Sequence, residues 1–151
     1  IQSLFLYHYQ YVKFEGKQVI FLYWKNQEEF YLELLTLLGK SKFRDIELAD
    51  TQSLLKKLAS GQLRRGKDFK PLSAFAKHQL FELRWTNLDG ERSVGIRLIC
   101  TRLDLSSVVL LTWHVKHSGQ DTDFQRLNQN HACERAIMRK EEFLGKFNHA
   151  L

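Results

Sequence analysis

Hydrophobic positions recur with two different periods along the 151-residue chain, and the switches between them divide it into elements. Residues 3–24 alternate, with Phe5, Tyr7, Tyr9 and Tyr11 in one parity, then cross Glu15-Gly16-Lys17 into the apolar run Val19–Trp24. This predicts two strands joined at a glycine turn, the second more apolar and so more buried; the first fits an extension outside the core equally well. Asn26 and Glu29 then have capping-box spacing, and Phe30, Leu34, Leu37 and Leu38 follow at helical intervals up to Gly39. Asp50 is expected to open a second helix through Leu54, Leu55 and Leu58, stopped by Gly61, so that the two helices form a hairpin. Three strand-like runs come next, Leu80–Trp85, Val94–Thr101 and Val108–His117, and their short connections imply an antiparallel meander. Thr122 with Gln125 reads as a second capping box before a helix from about Phe124 to Phe147, with Phe124, Leu127, Ala136, Phe143 and Leu144 inward.

Composition adds bounds rather than elements. A chain of this length is one domain on the prior, able to bury roughly 68–70% of its unfolded surface without disulfides or metal. With 44% hydrophobic and 26% charged residues it is not a disordered chain, and one proline and no internal repeat argue against linkers and solenoids. The longest apolar stretch has six residues, against ~18 for a membrane span, so a soluble protein is expected. Cys100 and Cys133 have no CxxC spacing, and no secretory signal opens the chain. A reduced, cytoplasmic protein is the expectation.

Charge is unevenly placed. Residues 56–77 hold Lys56, Lys57, Arg64, Arg65, Lys67, Lys70 and Lys77 against Asp68 alone, a local excess equal to the net +6 of the whole chain. Such a block draws a polyanion to one side of the molecule, nucleic acid being the commonest; a solvated face or a surface for an acidic protein is the alternative.

Strand parity gathers a second set of cations. Phe81, Leu83 and Trp85, then Ile96, Leu98 and Cys100, then Val109, Leu111, Trp113 and Val115 form the apolar sets. Arg84, Arg97, His114 and Lys116 are left together on the opposite face. Two guanidiniums, an ammonium and an imidazole suit a phosphodiester and the charge developing on it, and the imidazole or amine can carry protons. The alternative is a sheet face polar because it is wet, and a bulge at Gly95 would reverse Arg97. His114, His117, His131 and Cys133 lack metal-ligand spacing, so neither metal nor cofactor is expected. Cys100, Trp85 and Trp113 read as core, and His149 as part of a terminal tail.

The order of a basic helical hairpin, LFELRW, GIRLI, VVLLTWHVKH and a final helix with HACERA resembles the RelE/HigB family of bacterial type II toxins, in particular its phage-associated HigB-like branch. The likeness covers about residues 18–146. Residues 18–151 are read as the toxin domain and 1–17 as an N-terminal extension or extra strand. The resemblance implies an α+β, RelE-like fold, a helical hairpin packed on an antiparallel sheet with a C-terminal helix. It also implies an endoribonuclease that cleaves messenger RNA, usually on the ribosome, by metal-independent 2′-OH attack, and an antitoxin of helix-turn-helix type as partner. By motif, Arg84 matches the R of E-L-R, Arg97 the R of the next strand and Lys116 the first K of F-x-K-K. His117 replaces the second lysine, and Trp113-His114 replaces a small residue plus phenylalanine. The catalytic candidates are thus Arg84, Arg97, His114 and Lys116, and the RNA-binding candidates Lys56, Lys57, Arg64, Arg65, Lys67, Lys70 and His117. A ParE-like inhibitor of gyrase and a non-catalytic nucleic-acid-binding module are the alternatives.

Overall fold

A computed structural model describes residues 19–39, 44–60, 69–87, 94–104, 106–117 and 121–150. The first strand expected over residues 3–11, its glycine turn, and Arg64, Arg65 and Lys67 lie outside the described residues. The elements are β1 (Ile20–Tyr23), α1 (Gln27–Leu38), α2 (Arg44–Ser60), β2 (Phe69–Pro71), a 3-10 helix (Ser73–His78), β3 (Leu80–Asn87), β4 (Val94–Arg102), β5 (Ser107–His117) and α3 (Thr122–Ala150). The protein is an α+β domain in which helices cover both faces of one sheet.

The sheet order is β1-β5-β4-β3-β2. Strands β2 to β5 pair antiparallel, as the short connections require, whereas β1 runs parallel to β5. The sheet is therefore mixed. The helical pair α1–α2 stands between β1 at one edge and β2 at the other. Among the described residues β1 has one neighbouring strand, and it is half-exposed, with Ile20 62% accessible; the strand with which the sequence compares its burial lies outside the described residues.

Asn26 caps α1 as its spacing predicts, its side-chain oxygen accepting the Glu29 N–H at 2.8 Å, and Gly39 ends the helix at φ 63°. The second helix begins at Arg44 rather than at Asp50. Arg44 to Leu48 are adequate helix formers, and Thr51 donates its hydroxyl to the Glu47 carbonyl at 2.8 Å, one turn back. At α3 the cap is Asp121, whose carboxylate accepts the Phe124 N–H at 3.3 Å, one residue before the expected Thr122. Its inner face is also shifted: Phe124 and Leu127 are exposed, while Ala132, Cys133 and Ala136 are fully buried and Phe143 and Leu144 partly so. Small residues there let the helix axis approach the sheet. Strand β2, which ends at the single proline, and the 3-10 helix occupy a stretch to which the sequence pattern assigns no element.

The core is double. Phe30, Leu34, Leu54 and Leu55 of the two helices pack on Phe81, Leu83, Ile96, Leu98, Cys100, Val108, Leu110 and Trp113. On the other face Ala132, Cys133 and Ala136 of α3 pack on Leu72, Leu80, Ile99, Val109 and Leu111. This divides the apolar set of β5 that simple alternation keeps together. Ile99 pairs with Thr112 but Cys100 pairs with Leu110, leaving Leu111 as an extra residue in β5. The bulge puts Val109 and Leu111 under α3 and Trp113 under α1. No irregularity occurs at Gly95, which pairs in register with Thr86 and Lys116.

Candidate functional site

In register across the three central strands, Arg84 stands opposite Arg97, and Arg97 opposite His114. Since residues directly opposite share a face, three of the four side chains that parity collects form a single lateral row. Position 116 is opposite Gly95, one pleat further along β5; the side chains of Lys116 and His117 lie outside the described part.

Glycine at 95 is what makes room for this row. The Arg97 guanidinium folds back along its own strand, Nη1 donating to the Ile96 carbonyl at 3.2 Å, and a Cβ on residue 95 would meet that same Nη1 at 3.1 Å. Its carboxylate neighbour is Glu82, with only 3% of its side chain exposed and Oε1 3.9 Å from Arg97 Nε. Burial lowers the Arg97 pKa and the Arg84 charge lowers it further, while Glu82 opposes both. One guanidinium, that of Arg97, therefore lies near a buried carboxylate, with Arg84 adding like charge and a histidine that is 6% exposed on the next strand. An arrangement of this kind is suited to an anion with several acceptor oxygens, because the positive charge is already assembled and partly desolvated.

The face is not the open, wet surface that parity alone suggests. Glu82, Ile99, Thr101 and Thr112 are all buried beneath or beside α3. A helix with two alanines and a cysteine on its inner side lies close enough to cover them.

The remaining candidates are divided between regions. Lys56 and Lys57 are exposed on α2, whose apolar side packs on the other face of the sheet from the row. Lys70 stands opposite Glu82 in register, adjacent to the row, and Lys77 is exposed on the 3-10 helix. The basic block is thus contiguous in sequence without forming one surface among the described residues. Neither Glu82 nor Gly95 was a site candidate from the sequence, where Gly95 entered only as a place for a bulge, although Glu82 shares the parity of Arg84 and Gly95 that of Arg97.

Both thiols belong to the core. Burial pushes Cys100 well up, and burial followed by the charges of Glu82 and Glu134 pushes Cys133 up to about 12, so neither is a thiolate near neutrality. Among the described residues no group of three His, Cys, Asp or Glu is placed to hold a metal ion, and no helix is long and apolar enough to cross a membrane. No family model, curated protein or solved structure matches the chain.

Proposed function

We propose that the protein is an endoribonuclease of RelE/HigB type, the toxin of a type II toxin–antitoxin pair, cutting messenger RNA on the ribosome in the cytoplasm. The observation that carries this reading is the row Arg84–Arg97–His114, three side-chain positions in register on adjacent strands, with a buried carboxylate 3.9 Å from the middle one. The element order, strand, helical hairpin, antiparallel strands and C-terminal helix, supports the RelE-like form of the fold.

In this reading the ribose 2′-oxygen attacks the adjacent phosphorus, the bond from phosphorus to the 5′-oxygen breaks, and a cyclic phosphate forms. The 2′ proton passes to a base and the departing 5′-oxygen receives one. Arg84 and Arg97 stabilise the additional negative charge on the phosphoryl oxygens, the role for which preassembled cations are most effective. His114 or Lys116 moves the protons, histidine needing the least tuning to do so near neutrality. An antitoxin with acidic or helical segments would silence the protein by covering the same row.

The test is expression of Arg84→Ala, Arg97→Ala, His114→Ala and Lys116→Ala, scored by growth arrest and transcript cleavage with the melting temperature as control. Loss of either arginine is expected to slow cleavage about 10²–10³-fold in a folded protein. Full toxicity in all four variants overturns the mechanism. Toxicity of the parent without any transcript cleavage would favour the gyrase-type inhibitor instead.

A further inference from the structure

Beside the cationic row, at the β2 edge of the same sheet face, lies a cleft of about 370 Å³ between the 3-10 helix and the first half of α3. Its walls include Lys70, Phe75, Arg126, Gln129, Asn130 and Cys133. Phe75 is half-buried, packing against the second core on one side and lining the cleft on the other. Gln129 and Asn130 are successive residues of α3 and both contribute to the cleft, while Lys70 and Arg126 bring positive charge from opposite walls. Cys133, itself buried, also lines the cleft and lies near enough to Glu82 to feel that carboxylate's charge.

Cleft and row are neighbours by register. Lys70 is opposite Glu82, Glu82 is opposite Ile99, and Arg97 is two residues along from Ile99. With strands about 4.8 Å apart and a rise of about 3.3 Å per residue, positions 70 and 97 are about 12 Å apart. A chain whose phosphate sits on the arginines therefore reaches the cleft with a flanking nucleotide.

We propose that this cleft is a base-recognition site for single-stranded RNA, receiving the base of a nucleotide flanking the phosphate held by Arg84 and Arg97. The proposal rests on the ribonucleolytic reading of the row and assigns the step that reading leaves open, sequence preference. An aromatic ring gives an unstacked base a surface, and two carboxamides offer both donors and acceptors to its edge. Cations at the walls attract the flanking phosphates. An acidic peptide would use the cations but has no call on an aromatic wall next to paired amides. Base discrimination is what that combination adds.

The experiment titrates four fluorescent RNA pentamers, oligo-A, oligo-C, oligo-G and oligo-U, against the parent, the double variant Gln129→Ala/Asn130→Ala, Phe75→Leu and Arg84→Ala. The parent is expected to prefer one homopolymer by about tenfold, the range that a stacked and hydrogen-bonded base supplies. The double variant should lose that preference while its affinity for the other three stays within about twofold. Phe75→Leu should weaken all four. Equal binding of all four by the parent, or a preference that survives the double substitution, overturns the proposal. Transcript cleavage by the parent separates the two ideas: preference without cleavage sinks the ribonuclease reading alone, whereas cleavage without preference sinks the cleft alone; Arg84→Ala should weaken all four RNAs and keep the preference.

Discussion

Two ionic groups flank the central strands, and they are built to different standards. At the β5 edge, Arg139 of α3 and Glu33 of α1 meet in a two-pronged pair, Nη2 to Oε2 at 2.6 Å and Nη1 to Oε1 at 3.0 Å. Arg139 also donates to the Leu111 carbonyl at 2.8 Å and sits 4.6 Å from the centre of the Trp24 ring. Glu33 also accepts the Trp113 N–H and the Thr112 hydroxyl, both at 3.1 Å. In the cationic row the corresponding carboxylate, Glu82, is 3.9 Å from the nearest atom of Arg97, with Arg84 adding like charge.

The difference follows from what each group has to do. Strand β1 stops at Tyr23, opposite Leu110, so beyond that point β5 has no strand on its outer side among the described residues. Its edge N–H and C=O groups need partners, and Glu33 and Arg139 supply them at the bulge. That network is completed by the protein itself. In the row the Glu82 carboxylate stands farther from its arginine, and two guanidiniums of like charge lie opposite one another.

Breaking the completed network should produce the largest change in stability. Glu33→Ala leaves Arg139 and the Trp113 N–H without their acceptor. Removing one partner of a buried pair costs about 3–5 kcal/mol, and with the Arg139 and Glu33 side chains 17% and 26% exposed the low end applies. At about 2–4 °C per kcal/mol for a domain of this size, the melting temperature should fall by about 6–12 °C. The same pair predicts an acid limb. Burial alone would raise the Glu33 pKa, but the Arg139 hydrogen bond, the Trp113 N–H, the Arg139 charge and the Thr112 hydroxyl together hold it below the ordinary 4.5. A depressed folded-state pKa contributes stability above the unfolded value that is lost as pH falls through the folded one. The parent should therefore lose stability below about pH 4.5, and Glu33→Gln should flatten that loss. Parallel acid profiles would show that the pair does not carry it.

Neither Glu33 nor Arg139 is legible in the sequence, because their pairing depends on a bulge that no local pattern announces. Val109, Leu111, Trp113 and Val115 alternate perfectly as letters; the extra residue is visible only where β4 fixes the register. Strand existence was legible to within two residues, since β3 to β5 alternate strongly and end at turn residues. The α1 cap was legible for the same local reason. The α3 inner face was legible in part: Ala136, Phe143 and Leu144 face the core as expected, whereas Phe124 and Leu127 are exposed and Ala132 and Cys133 take the inward positions of the earlier turns. Of the candidate site, the arginine and histidine row lies upstream and downstream of the bulge in the parity the sequence implies. Distribution of the basic block was illegible, as proximity in sequence does not fix which face of a sheet a helix covers.

A second intervention sharpens the comparison by disturbing the row without removing charge. Gly95→Ala places a Cβ 3.1 Å from Arg97 Nη1, the mobile end of a long side chain that can shift. Stability should change by less than about 1 kcal/mol, since alanine suits a strand interior better than glycine. Cleavage should nevertheless fall about tenfold, because small displacements of a charge-stabilising group are costly in the transition state. Unchanged cleavage with a shifted Arg97, seen by structure determination, would separate the guanidinium's position from the chemistry.

The smallest thermal effect is expected at Arg84, and it is the sharpest contrast with Glu33. Arg84 and Arg97 repel one another across β3 and β4, as the lowered Arg97 pKa records after the larger effect of burial. Arg84→Met keeps the length of an apolar stem on the strand and removes one of the two like charges, leaving Glu82 with Arg97. The contacts that Arg84 makes are lost with it, so relief of repulsion and loss of contacts oppose each other. A net change within about 1 kcal/mol follows, or at most about 2–4 °C in melting temperature. RNA cleavage by the same variant should be reduced about 10²–10³-fold. A loss of stability as large as that of Glu33→Ala would mean that the row is held together as tightly as the β5 edge, and the contrast between a close ionic network and a looser one would fall.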